Sequence, residues 1–332
     1  MPASIPSLPR LRLRAALVVW AVTGITLGAA RAEPFAYVTN QGSHDVSIVD
    51  LATSKVVATV PVGKSPAGVA ASIEAGRVFV TNPDSADVSV IDMATRKVIG
   101  TLKAGKGPVG IDVDDTGERV YVADWYGNRL LGFDTRTLTP VLAVSIGHAP
   151  AGVVVHDNGD HVFVAERDDD SVAVVHAGEQ RVYARVKVGH HPFGLCFDRV
   201  RRRLYVTNVM SDDVSVIDVR TLAVIATIKV GRTPYGAALT ADGRALWVTN
   251  QGGNSVSVID PDTFAVTQTL KGFAYPEGIG ADGAKMVVVN WDDDTLAVLD
   301  ARTGQRLGIV KTGSNSRGFG RLVGVPVVPA AP

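Results

Sequence analysis

The 332-residue sequence contains a single cysteine, Cys196. One thiol excludes an internal disulfide, a CxxC redox pair and a CxxCH haem attachment. Net charge is also missing, since 33 Lys and Arg balance 33 Asp and Glu. That balance argues against a nucleic-acid binder, whose surface carries a basic excess. No segment holds a sustained 3.6-residue hydrophobic period, so helix is expected to be scarce. No GxSxG, HExxH or P-loop motif occurs. The linear signatures of serine hydrolases, zinc hydrolases and phosphate cradles are therefore absent.

What the sequence does have is a large apolar fraction and many turn formers. Hydrophobic residues make up 46%, beside 34 glycines and 17 prolines. This suits a packed core built from many short strands. The N-terminus reads as a separate element. Arg10, Arg12 and Arg14 form a positive region, and an uncharged, mostly apolar run covers residues 15–30. Ala30-Arg31-Ala32 follows as a small-x-small cleavage signal. The run falls short of the roughly 20 residues of a spanning helix. Residues 1–32 are thus expected to be a cleaved signal peptide, with the mature chain periplasmic or secreted and without a membrane span. Its removal deletes four arginines and no acid, so the mature chain is mildly acidic. Cys196 sits in an apolar stretch and reads as a core residue.

The remainder is one repeat. A proline recurs at Pro66, Pro108, Pro150, Pro192, Pro234 and Pro276, every 42 residues. A glycine follows two places on, at Gly68, Gly110, Gly152, Gly194, Gly236, Gly278 and again at Gly320. Between them run Tyr37-Val-Thr-Asn40, Phe79-Val-Thr-Asn82, Tyr121-Val-Ala-Asp124, Phe163-Val-Ala-Glu166, Tyr205-Val-Thr-Asn208, Trp247-Val-Thr-Asn250 and Val287-Val-Val-Asn290. A third landmark is Asp45-Val-Ser-Ile-Val-Asp50 and its counterparts. Each unit reads as four short strands, A to D, with Asn-Gly, Asp-Gly and Thr-Gly hairpin signals between A and B. Four strands at this period predict an all-β, seven-bladed propeller of four-stranded blades over residues 33–324. The chain after Ala32 starts at a B strand and ends near Gly318–Val323 with a lone A element. Those two ends are expected to pair in one blade and close the ring, which removes exposed sheet edges. Residues 325–332 are read as a disordered tail.

The Tyr-Val-Thr-Asn element, the Asp-x-Val-Ser-Val-Ile-Asp element and Val-Gly-x-x-Pro-x-Gly together resemble the YVTN-repeat β-propeller family. The resemblance covers about residues 35–323. It implies an exported seven-bladed propeller, and relatives of that kind include surface-layer proteins, periplasmic binding propellers, lactonase-like enzymes and the d1-haem domain of nitrite reductases. WD40 repeats fit less well, because the one Trp-Asp dipeptide, Trp291-Asp292, falls in a loop.

Residues shared by all units serve architecture, and departures from the repeat are where function can reside. The D–A and B–C turns are expected on one face. That face collects His44, Trp125, His148, His190, His191, Arg232, Tyr235, Trp291 and Arg317 as candidate ligand-binding residues. His148, His190 and His191 come from neighbouring blades and have the donor chemistry for a transition metal. Asp124 and Glu166 replace the usual Asn in adjacent blades and are the candidate catalytic carboxylates. His156, His161 and His176 read as structural or surface residues.

Three readings follow. The first is a non-enzymatic binding or scaffold propeller, holding a small ligand, cofactor or periplasmic protein partner on the D–A/B–C face. The second is a lactonase-like hydrolase or lyase in the channel mouth. The third is an accessory of a periplasmic redox or cofactor system. A carboxylate-lined pocket favours the enzyme, and a wide aromatic face favours a protein partner. The identity of any cofactor stays open at this level, as does the oligomeric state.

Overall fold

A computed structural model describes Met1, residues 34–156 and residues 159–324. The predicted signal peptide, apart from Met1, and the predicted tail lie outside the described residues. Seven sheets form a ring, each contributing one blade of antiparallel strands, with a short parallel addition in blade 2. Blade 2 shows the build. Strand A, Gly68–Ser72, pairs with B, Arg77–Asn82; B pairs with C, Asp87–Asp92; C pairs with D, Lys97–Lys103. The inner strands of blades 3 to 7 are Pro108–Val113, Pro150–Val155, Pro192–Asp198, Pro234–Leu239 and Pro276–Asp282. Helix among the described residues is limited to three one-turn 3-10 segments after B strands.

Strands B and C are apolar on both faces because each sheet lies between two others. The aromatic that opens each B-strand motif is buried between blades. Tyr37, Phe79, Tyr121, Phe163, Tyr205 and Trp247 are all 2% exposed or less. Burying each such ring stabilises the fold by roughly 3 kcal/mol. The D strands face solvent as sheet edges. Lysines at their ends, such as Lys55, Lys97, Lys103, Lys187, Lys229 and Lys311, oppose edge-to-edge association.

The other motif letters also have defined partners. Thr39, Thr81, Thr207 and Thr249 each donate Oγ1–H to a carbonyl of the next blade, Ala67, Val109, Tyr235 and Glu277, at 2.9 Å. The last three also accept a glycine N–H from their own inner strand at 2.8 Å. The motif asparagine ties strands B and C together. Asn82 Nδ2 donates to Asp87 and Ser89, and Asn208 does the same to Asp213 and Ser215.

Around the axis, seven glycines set the spacing. A Cβ on Gly68, Gly110, Gly152, Gly194, Gly236 or Gly278 would lie within 2.6 Å of the carbonyl oxygen of Val109, Ala151, Phe193, Tyr235, Glu277 or Gly318, in that order. Gly320 completes the circle against the Val69 carbonyl.

Closure is more divided than the sequence suggests. Blade 1 has Phe35–Asn40 as its B strand, and the C-terminal segment supplies the inner strand in pieces. Ser316–Arg317 and Val323–Gly324 pair antiparallel with Phe35–Asn40, and Tyr37 N–H donates to Leu322 O at 2.8 Å. The intervening Phe319–Arg321 bends inward and pairs parallel with Gly68–Ser72 of blade 2. The bend needs Gly320, whose φ is +109°, a value disfavoured for other residues. The expected single strand over residues 318–323 is therefore shared between two blades.

Gly110→Ala is expected to cost about 3 kcal/mol in urea unfolding, because the methyl meets backbone that cannot move alone. Gly178→Ala, where the Cβ makes ordinary contact with His176, is expected within about 0.5 kcal/mol of the native chain. Equal losses in both would contradict the packing account.

Candidate functional site

The D–A and B–C turns share a face and a common geometry. The last residue of each B–C turn sits at positive φ, and so does the residue before the inner strand in every blade except blade 3, as at His44 and Ser65, Asp170 and His191, or Asn254 and Tyr275. The first side chain accepts the backbone N–H of the second. Asn128, Asp170, Asp212, Asn254 and Asp294 do this with Oδ1, at 2.6 to 3.1 Å. His44 does it with Nδ1 at 3.1 Å, so it stands in for an asparagine.

The histidines of two neighbouring D–A turns meet one B–C turn, at the consecutive residues Asp169 and Asp170. His148 Nδ1 lies 3.0 Å from Asp169, and His190 Nδ1 lies 2.8 Å from Asp170, with both rings largely exposed. The Asp169 hydrogen bond and charge raise the His148 pKa above its ordinary value. No group of three His, Cys, Asp or Glu side chains among the described residues has metal-holding geometry. Arg232 bonds the Gly252 carbonyl on the rim.

Asp124 and Glu166 are fully buried and satisfied locally. Asp124 accepts the N–H groups of Lys106, Gly107 and Gly127 and pairs with Arg129 at 2.9 Å. Blades 1, 2 and 5 place Asn and Asp at these two positions, so blade 3 exchanges their Asn–Asp for Asp–Arg. Glu166 accepts the Gly147 N–H at 2.6 Å and the Ser171 hydroxyl at 2.7 Å, and Arg185 neutralises it at 3.0 Å. Both carboxylates thus perform the turn-tying role of the motif asparagine.

The channel mouth on this face is filled. The residue between proline and glycine in each inner strand points to the axis. It is small in Ala67, Val109 and Ala151, and large in Phe193, Tyr235, Glu277 and Phe319. The ring centroid of Phe193 lies 4.2 Å from Tyr235 and 4.8 Å from Phe319. Trp125 covers this plug from its B–C turn, 6.2 Å from Phe193, with the Arg167 guanidinium 5.6 Å above the indole. Beside the rings lies a buried ion pair. Glu277, 1% exposed, accepts Gln251 Nε2–H at 2.7 Å and Arg317 Nη2–H at 3.2 Å. Arg317 Nε and Glu277 Oε2 are 3.0 Å apart as an ion contact without hydrogen-bond geometry. Burial pushes the Glu277 carboxyl up, and Arg317 and Gln251 oppose the shift. Burial also pushes the Tyr235 phenol up, reinforced by the Glu277 charge. Burial works against the Arg317 charge, but Tyr235 and Glu277 more than offset it. Tyr275 and Trp291 pack 5.6 Å apart at the rim, and the buried Trp291 Nε1 has no partner among the described residues.

Of the candidates, Trp125, Tyr235 and Arg317 meet in one cluster around Phe193, Phe319 and Glu277. Trp291 flanks it, His148 and His190 are largely exposed beside the 167–170 turn, and the His191 Nδ1 is buried without a partner among the described residues. Sequence reasoning missed Glu277, Gln251 and Phe319 as site residues. Lining up the position between proline and glycine reveals the signal, because Glu277 is its only charge.

Three other histidines form a row on blade 4 at the opposite face. The His161 ring lies 5.0 Å from His176 and 6.2 Å from His156. Burial and the neighbouring His176 and His156 charges lower the His161 pKa below 6.5, against Asp160 and Glu179.

No protein-family model matches this sequence, and no curated protein matches it. Solved structures do match the fold. Hydrazine synthase of Kuenenia stuttgartiensis aligns with TM-score 0.71 at 19% identity, covering 85% of this chain and 99% of that one. The dihydro-heme d1 dehydrogenase NirN in complex with DHE aligns with TM-score 0.66 at 16% identity, over 87% and 75% of the two chains. A functionally unknown protein from Desulfotomaculum acetoxidans aligns with TM-score 0.73 at 12% identity, over 86% and 99%. At these identities the likeness shows the propeller fold alone.

Asp124→Asn is expected to cost about 1 kcal/mol by stranding Arg129. Adding Arg129→Asp rebuilds the Asn82–Asp87 arrangement and should recover stability to within about 0.5 kcal/mol. A double variant worse than the sum of the singles would contradict the structural role. The folded chain binds fewer protons at His161 than the unfolded chain, so stability falls as pH drops below 6.5. His161→Phe should flatten that decline in pH-dependent urea midpoints, and an unchanged slope would refute it.

Proposed function

We propose that this chain is an exported, non-enzymatic binding or scaffold propeller that docks a protein partner on its D–A/B–C face. The observation that carries the reading is the filled channel mouth: aromatic rings and a buried Glu277–Arg317 pair leave a surface rather than a reaction pocket. The composition of that surface supports docking. Tyr126 and Met210 are 70% and 66% exposed there, beside the partly exposed Trp125, Trp291 and Arg167. Tyr, Trp, Met and Arg are the residues enriched in protein interfaces and their hot spots. The signal-like N-terminus supports export.

The enzyme reading loses its main residues, because Asp124 and Glu166 are saturated by turn donors. The cofactor reading is encouraged by the likeness to the heme d1 dehydrogenase. Its candidate metal ligands, His148 and His190, each have Nδ1 engaged by an aspartate, Asp169 and Asp170, of a single B–C turn.

A photo-crosslinking p-benzoylphenylalanine at Tyr126 or Met210, in the exporting cell, is expected to give a discrete protein adduct. The same residue at Val200, exposed on the opposite face, is expected to give none. The recovered chain should begin at Glu33. Adducts absent from both docking positions, or equal at Val200, would refute the assignment.

A further inference from the structure

The channel has a second end. Below the glycine girdle, toward the A–B hairpins, lies a cavity of about 420 Å³. Its walls include Val153, Leu195, Leu239, Ile279 and Leu322, and Phe319 with the girdle glycines forms its floor. This volume and apolar lining match those of small-molecule sites. Cys196 also lines it, and burial pushes its thiol up to about 12.

Three charged residues line this cavity: Asp112, Arg199 and Arg321. The repeat makes two of them conspicuous. The positions equivalent to Arg321 are Val69, Ile111, Val153, Leu195, Ala237 and Ile279, all aliphatic. Those equivalent to Asp112 are Ala70, Val154, Cys196, Ala238, Gly280 and Leu322. Every other blade has an uncharged, apolar residue at either place, so the charges are departures located in the channel.

Their hydrogen bonds show which chemistry is left over. Asp112 Oδ2 accepts the Val155 N–H at 2.9 Å, and Oδ1 faces Arg321 Nη2 at 3.1 Å. Both oxygens of Asp115 are taken by Arg199. The acceptors are used. The donors are not: Arg321 bonds Val113 O through Nη2 at 3.2 Å, and no hydrogen bond among the described residues uses its Nε or Nη1. The Arg199 pKa is lowered by burial and by the Arg321 charge beside it, so an added negative charge relieves both guanidiniums. A cationic head would have to displace arginine from Asp115 and a backbone N–H from Asp112.

We propose that this cavity binds a compact amphipathic anion, with an apolar body against the channel wall and a carboxylate or similar oxyanion on Arg321 and Arg199. The site is separate from the docking face and independent of the partner reading. Guanidinium forks suit such heads because they offer paired donors in one plane.

The test is calorimetric titration of the mature chain with decanoate and with the neutral decan-1-ol. Decanoate is expected to bind at least about tenfold more tightly than the alcohol. Arg321→Gln and Arg199→Gln should each lose about tenfold for decanoate and leave the alcohol unchanged. Leu239→Trp, which fills the wall, should abolish both. Circular dichroism confirms that each variant is folded, and Arg321→Lys serves where Arg321→Gln is not, with a smaller loss expected. Equal affinity for acid and alcohol would overturn the anion assignment. Binding of neither would overturn the site.

Discussion

Seven glycines around the axis each have a neighbouring carbonyl oxygen where a side-chain Cβ would stand, and the rest of the molecule is arranged on that close approach. A methyl group at any of these places would strike backbone of the next inner strand. The contact therefore fixes how near the blades approach and how far the channel narrows. It also closes on itself, because Gly320 of the C-terminal segment meets Val69 of the first complete blade. The Thr–carbonyl bonds and the buried B-strand rings act one layer further out, holding neighbouring blades at the distance that the girdle sets.

The girdle divides the channel into two environments. Residues just before the glycines face the D–A/B–C side, where Phe193, Tyr235, Glu277 and Phe319 fill the space. Residues just after them face the A–B hairpin side, where aliphatic chains line a cavity and three charges stand at its mouth. A one-residue step along each inner strand thus changes the side of the channel served. The two ends carry different chemistry on one backbone scaffold: an aromatic surface with a sealed ion pair above, and an apolar concavity with spare guanidinium donors below.

Much of this architecture was legible in the sequence, because the repeat is so regular. The period predicted the blades, Tyr37 at the start and Gly320 at the end predicted closure, and the Pro-x-Gly element predicted close packing at the axis. The division of the C-terminal strand between two blades was not legible, since it depends on the backbone turn at Gly320. The site was only partly legible. Trp125, Tyr235 and Arg317 do meet, but through Phe193, Phe319 and Glu277, whose inward direction is set by strand pleat rather than by turn position. Asp124 looked chemical because an acid replaced Asn, yet its compensating partner, Arg129, was five residues away in the same hairpin. His44 looked like a ligand and is a turn acceptor. The cavity was hidden for a different reason: Arg321 is unusual only when the repeat is read in register down the channel.

These observations give the propeller a channel with two chemically distinct ends and a floor between them. The most direct test of that division is a crystal structure under xenon pressure, since xenon occupies apolar cavities and ignores filled ones. The account predicts xenon density below the girdle, against Val153, Leu195, Leu239 and Ile279, and none among Phe193, Tyr235 and Phe319. Density within the aromatic plug, or none in the lower cavity, would contradict it.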